Sequence, residues 1–275
     1  MNASQRETYW LKVERLRRQL DKKYSSLFKG AIEKEVDEFA KLVERIGPEA
    51  ARSSLAAMAW DDKLVTILRK LYRESAVIFG NSVYRAVGIE SRKAYDPFDL
   101  NNDWLDELTS FLIQWGFLLV SQMTQTTKKH LILIINVSIG EGKSPKEIAE
   151  AIRTNSDLKY AMMRAMRIAR TEVMRASNYA SFVAAQKHPF VVDKMWVATR
   201  DSRTRRIPKD RYDHWDMDGQ VKAYNEPFTS ADILGRPISA SYPGDPTAPA
   251  GFTINCRCTV AFVPRRDANG KVIMK

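Results

Sequence analysis

Apolar residues recur at steps of three and four through most of the chain and then switch to steps of two. Trp10, Val13, Leu16, Leu20, Leu27, Ile32, Val36, Phe39, Leu42, Val43 and Ile46 share one stripe. That stripe predicts a helix over residues 4–45, interrupted near 25–30 and ended by Gly47-Pro48. A short helix over 49–59 follows, then a long one from Asp61 or Asp62 to Gly88. Residues 89–102 carry Pro97 among turn formers and read as a loop. Asn102 or Asp103 then caps a helix over 104–137, apolar nearly all round from Phe111 to Val120, the pattern of a helix central to a bundle. Ser144 and Glu147 spell a capping box with Pro145 at the first helical position, opening a helix over 145–153. The Ala-rich run 158–186 is the strongest helix of all. Its polar residues Arg170, Thr171, Glu172 and Asn178 are candidates for pinning it to the C-terminal part of the chain.

His188-Pro189 stops that helix, and the period becomes two. Residues 191–199 predict a strand, 220–224 and 238–242 short strands, and 256–263 a terminal strand, all separated by polar turns. The fold class expected is therefore α+β: a predominantly α-helical N-terminal domain over 1–156, then a long helix and a small turn-rich β-sheet head of two to four strands over 157–265. Residues 266–275 remain as a C-terminal tail.

Charge sharpens this division. Residues 1–150 hold 23 Lys and Arg against 21 Asp and Glu, whereas residues 151–275 hold 21 against 12, so most of the net +11 lies in the second part. A basic field of this kind attracts polyanions, nucleic acid first among them, in a salt-dependent way. Arg164, Arg167, Arg203, Arg205, Arg206 and Arg211 are the candidate contacts. The most apolar stretches, 111–120 and 131–137, are separated by polar residues and fall short of the roughly 20 residues a membrane span needs. With no apolar signal core at the N-terminus, the chain is expected to be soluble and made in the cytosol.

The candidate chemistry gathers in the head. Cys256-Arg257-Cys258 is too closely spaced for an unstrained disulfide, so free thiols or a metal are expected in a reducing compartment. His214, Cys256 and Cys258, with a carboxylate, could supply tetrahedral zinc, although neither of the usual zinc spacings is present, and the alternative is two small buried strand residues. Asp201, Asp216, Asp218 and Asp245 could instead form a carboxylate cluster for a divalent ion. Asp-, Gly- and Arg-rich loops are more often held by hydrogen bonds of their own, which points to Asp201 pairing with Arg203 or Arg257 and to Asn255 holding a turn. No catalytic triad follows from the spacing. The Gly140-Glu141-Gly142-Lys143-Ser144 string lacks the strand and opening glycine of a phosphate-binding loop.

Five blocks in order carry a resemblance: RIARTEVMRASNYA, W-x-A-T-x-D-S-R-T-R, H-x-x-x-D-G-Q, P-G-D-P and I-N-C-R-C. Over residues 168–263 they resemble the C-terminal domain of the Mu F-like minor head proteins of tailed phages, with divergence at Trp215-Asp216 and over 225–241. The family's recurring positions fall here on Arg170, Glu172 and Asn178 of the long helix and on Asp201, Arg203 and His214. They continue with Asp218, Gly219 and Gln220, with Pro243, Gly244 and Asp245, and with Asn255, Cys256 and Cys258. The resemblance implies a non-enzymatic head-morphogenesis protein with no catalytic residues and no cofactor beyond the zinc just considered. It implies few copies inside the capsid, assembled in a bacterial host cytoplasm, with portal, capsid or scaffold and non-specific double-stranded DNA as partners. The alternatives are a metal-dependent hydrolase or nuclease using the His, Asp and Cys residues of the head, or an effector ejected with the DNA.

Overall fold

The computed structural model describes residues 1–58, 61–89, 107 and 110–275. The fold is α+β, with helices first and a small antiparallel β head at the C-terminal end. Helix α1 (Ala3–Ile46) runs for 44 residues without the expected interruption. Tyr24 and Phe28 continue its buried stripe across residues 25–30, so packing holds the helix through the stretch where local propensity is weakest. Leu27 and Ile46 lie exposed, and Arg17 takes a core position instead. Helix α2 (Pro48–Ser54) ends in a 3₁₀ turn, Leu55–Ala57. Helix α3 (Asp61–Ser75) passes through a π-helical turn, Ala76–Gly80, into α4 (Asn81–Ile89). The loop expected after residue 89 and the cap at Asn102 or Asp103 lie outside the described residues. A second π-helical turn, Leu112–Gly116, leads into α5 (Phe117–Gly140). Leu131, Ile134 and Ile135 are buried, but Leu133 and Val137 are exposed, so the second half of α5 is amphipathic and not buried all round. Helix α6 (Pro145–Thr154) opens on the expected capping box, and α7 (Ser156–Lys187) follows directly.

Strands β1 (Val192–Val197), β2 (Val221–Ala223) and β5 (Thr259–Pro264) form one antiparallel sheet in the order β2-β1-β5, with Trp196 opposite Val260. Strands β3 (Phe228–Ala231) and β4 (Pro237–Ala240) form a separate hairpin, with Phe228 opposite Ala240. The head thus has five strands rather than two to four, and β3 lies in the 225–241 stretch that reads as a divergent loop. Its sequence, Phe-Thr-Ser-Ala, offers one apolar residue, too little for a periodic signal. A one-turn helix α8 (Ala250–Thr253) precedes β5. Residues 266–275 bend back and add to the start of β1, where the Val191 N–H donates to the Ile273 carbonyl at 2.9 Å and the Lys275 N–H to that of Pro189 at 2.9 Å.

The chain divides into two compact units, each drawn from separate stretches of sequence. One comprises Met1–Asp21, Leu71–Leu108 and Arg170–Lys275; the other comprises Lys22–Lys70 and Thr109–Ala169. The second is an all-helical unit whose core includes Phe28, Phe39 and Val43 of α1, Leu64 and Leu68 of α3, Leu131 and Ile135 of α5, and Ile148 and Ile152 of α6. Arg153 closes its surface with ion pairs to Asp37 at 3.2 Å and Glu44 at 2.8 Å. The first unit holds the β head. Its main apolar cluster is built around Trp196, Phe228, Phe252 and Val260, all fully or almost fully buried.

Candidate functional site

The head is organised on the last half of α7, where residues 171–178 are buried without a break. Small side chains such as Ala176, Ser177 and Ala180 let the backbone of the head approach the helix closely. Asn178, fully buried, serves as the joint. Its amide nitrogen donates to the carbonyls of Pro243 (2.8 Å) and Cys258 (3.1 Å). Its oxygen accepts from Arg17 Nη2 (2.7 Å), Thr259 Oγ1 (3.1 Å) and the Val260 N–H (3.3 Å). Thr171 Oγ1 accepts from the Asn255 N–H at 3.3 Å, completing a second link. Glu172 acts at one remove: it pairs with Arg175 (2.5 Å) and accepts from the Tyr72 hydroxyl (3.0 Å), while Arg175 Nε donates to the Gly244 carbonyl (3.0 Å). Arg170 turns instead to Asp21 of α1, 3.1 Å away.

The start of α1 clasps the same head, which the sequence did not indicate. Arg6, Trp10 and Arg17 recur at helical spacing on one face. Trp10 Nε1 donates to the Arg257 carbonyl (2.9 Å), the Tyr9 hydroxyl to that of Val260 (3.1 Å), and Arg17 Nη1 to that of Cys258 (3.1 Å). Burial pushes the Tyr9 hydroxyl up to about 12, so it stays a donor. Arg6 grips Asp218 Oδ2 through Nε (3.1 Å) and Nη2 (3.0 Å), and Asp218 Oδ1 accepts from the Ala198 N–H (2.9 Å).

The motif residues of the loops hold one another in the same way. Asp201 binds both terminal nitrogens of Arg257, and its other contacts are the Arg203 N–H and the Thr204 hydroxyl. The Arg257 guanidinium holds the Asp201 carboxyl down at about 2. The Arg203 side chain lies farther off, at 3.8 Å. Gln220 mimics a strand, exchanging hydrogen bonds with the Thr229 backbone at 3.0 and 2.9 Å. Asp245 accepts from the N–H groups of Ser241 (2.7 Å) and Thr247 (2.9 Å) and folds the Pro243–Asp245 turn. Gly244 sits there at φ 89°, and a Cβ on it would lie 3.0 Å from the Met174 side chain and 3.3 Å from the Arg175 backbone. Asn255, at φ 56°, turns the chain into Cys256, so β5 begins at Thr259 rather than at Cys256.

His214, Cys256 and Cys258 meet inside this frame, all three buried, with their donor atoms within 4.8 Å of one another. His214 Nδ1 lies 3.5 Å from each sulfur. The imidazole stands edge-on to Phe252 (4.4 Å between ring centres) and Trp196 (5.7 Å), which fixes its plane. A hydrogen bond with Cys258 holds the Cys256 thiol well below the usual range, while burial pushes Cys258 well above it. The four aspartates do not gather with this cluster. Among the described residues it is the one metal-sized group of three or more His, Cys, Asp or Glu donors. Asp216, exposed, has its N–H bound by Asp213 Oδ1 at 2.8 Å.

The candidate DNA contacts separate into two kinds. Arg203 and Arg206 are exposed, with Arg206 lying over the Trp215 ring at 5.1 Å. Arg205 donates to the carbonyls of Phe252 and Ile254, and Arg211 pairs with the buried Asp232 at 3.3 Å, so both also hold loops. Arg167 is exposed on α7, and the side chain of Arg164 lies outside the described residues.

Fold and site together define a small β head braced by two helices, with its polar motif spent on internal hydrogen bonds. Residues 131–261 match the family described as Phage Mu protein F like protein, so this part of the chain is similar to that family. The match begins well before the motif blocks and takes in α6 and all of α7. No curated protein and no solved structure matches the chain.

Proposed function

We propose that the protein is a minor capsid protein of a tailed phage or prophage. In this reading it is held in few copies inside the head, associates with the portal or scaffold during assembly, and contacts packaged DNA without sequence preference. The observation that carries the reading is the family match over residues 131–261. The use of the motif residues supports it: Asn178, Asp201, Asp218, Gln220 and Asp245 all bind neighbouring parts of the head. The head also presents cations along a single segment. Residues 200–211 carry six Lys and Arg against two Asp, and Arg203, Arg206 and Lys209 are exposed there. Phosphate contact through such side chains is sequence-independent and salt-sensitive.

The test is retention of the full chain on double-stranded DNA as a function of salt, alongside capture by the portal protein of the same phage. The triple variant Arg203→Glu, Arg206→Glu, Lys209→Glu spares Arg205 and Arg211, whose loss would loosen the head. It is expected to weaken DNA retention at least ~10-fold at low salt and to lower the log–log salt slope by up to about 3. Unchanged retention would reject the DNA contact, and failure of the wild-type chain to co-purify with portal or procapsid would reject the assembly role.

A further inference from the structure

We propose that His214 Nδ1, Cys256 Sγ and Cys258 Sγ bind one zinc ion that staples the 200–220 loop to the start of β5. Zinc bonds of about 2.3 Å to sulfur and 2.0–2.1 Å to nitrogen, opened to a tetrahedral angle, place nitrogen and sulfur about 3.5 Å apart. Both Nδ1–Sγ separations here are 3.5 Å. A hydrogen bond would have to share one ring N–H between both sulfurs, whereas an ion in front of the nitrogen makes a full bond to all three atoms at once.

The surroundings fit a metal thiolate. The Cys258 N–H points at Cys256 Sγ, 3.4 Å away, an amide donor of the kind that steadies a bound thiolate. Edge contacts with Phe252 and Trp196 hold the imidazole in place, and Asn255 in the left-handed region sets the turn that brings both sulfurs to one side. Charge also closes. Each thiol gives up its proton on binding, so Zn²⁺, two thiolates and a neutral imidazole sum to zero, the state an apolar core tolerates best. The soft sulfur and imidazole donors select zinc over magnesium or calcium. The described residues supply three donors, which leaves the fourth position to water. The role is structural: the ion joins residues 42 and 44 positions apart, in a loop region with little regular structure of its own.

Metal analysis of the full-length chain after exhaustive dialysis is expected to find one zinc per molecule. Replacement by Co²⁺ should produce a sulfur-to-cobalt charge-transfer band in the near ultraviolet. Cys258→Ser, which leaves one of the two sulfurs, should reduce that band markedly and weaken zinc binding by ~10–100-fold. Because that variant could unfold, the wild-type chain is also tested with a strong chelator, which should lower its unfolding temperature by several degrees, reversibly on adding zinc. A folded wild-type chain that takes up neither ion stoichiometrically, and whose unfolding temperature ignores the chelator, would overturn the proposal. None of these readouts involves portal or DNA, so they stand apart from the proposed function.

Discussion

Asn178 shows how much of the head can depend on one residue. Five polar groups from α1, the Pro243 turn and β5 converge on its amide, and none has water to fall back on. Replacing it by Leu keeps the volume but strands two carbonyls, an N–H and the buried Arg17. We expect Asn178→Leu to cost about 3–5 kcal/mol in urea unfolding, against less than ~1 kcal/mol for an exposed control such as Asn225→Leu. His188 makes a different kind of demand. It packs between Tyr84 and Phe190, and its Nδ1 accepts the Phe190 N–H at 3.3 Å. Burial, with Lys275 nearby, lowers its pKa from 6.5 to about 4. The unfolded chain therefore binds the proton first, so this residue's contribution is complete above pH 6.5 and is lost as pH falls through 4. The loss amounts to up to ~3 kcal/mol. Unfolding free energies measured from pH 7 to 4 should fall more steeply for wild type than for His188→Asn. His188 was legible only as a helix stop, because the Tyr84 ring that covers its other face lies about a hundred positions earlier in the chain.

At the scale of elements, period and caps carried most of the information. The capping box at Ser144 and the helix over α7 follow from neighbours within a turn or two, and they form as expected. Helix α1 is more instructive. Its apolar stripe is plain in the sequence, yet its first part works as much through polar tips as through apolar area. Trp10 belongs to that stripe, but Arg6, Tyr9 and Arg17 carry no sequence signal of burial, and all four find an acceptor in the head more than 150 residues away. Nothing local distinguishes a buried arginine from an exposed one. The head's loops divide in the same way. The Pro-Gly-Asp-Pro turn is recognisable from its residues, but the closeness of Gly244 to Met174 and Arg175 is set by the packing of the turn on α7.

For the whole molecule, the expectation is that the segment matching the Mu F-like family does not fold on its own. The compact unit that contains the head also takes Met1–Asp21 and Leu71–Leu108, and Tyr72 and Arg17 supply buried partners to Glu172 and Asn178. A fragment of residues 131–275 would expose the β5 carbonyls that α1 covers. It is expected to be degraded in limited proteolysis at least ~10-fold faster than the full chain and to lack a cooperative thermal transition. Slow, cooperative unfolding of that fragment would show that α1 and the segment after Leu71 are dispensable to the head.

The sequence by itself determined the α+β class, the helix breaks at Gly47-Pro48 and Ser144 and the stop at His188-Pro189, the basic bias of the second half and the identity of the motif residues. Each of these depends on residue type and on spacing within a turn or a strand, where the physics is local. Tertiary structure decided the partners. It chose Arg257 for Asp201 and Arg6 for Asp218, paired the unexpected β3 with β4, and brought His214 against two cysteines more than forty positions away. A buried polar group takes whichever partner best offsets its lost hydration, and that partner is set by how distant elements pack rather than by anything the residue's neighbours reveal.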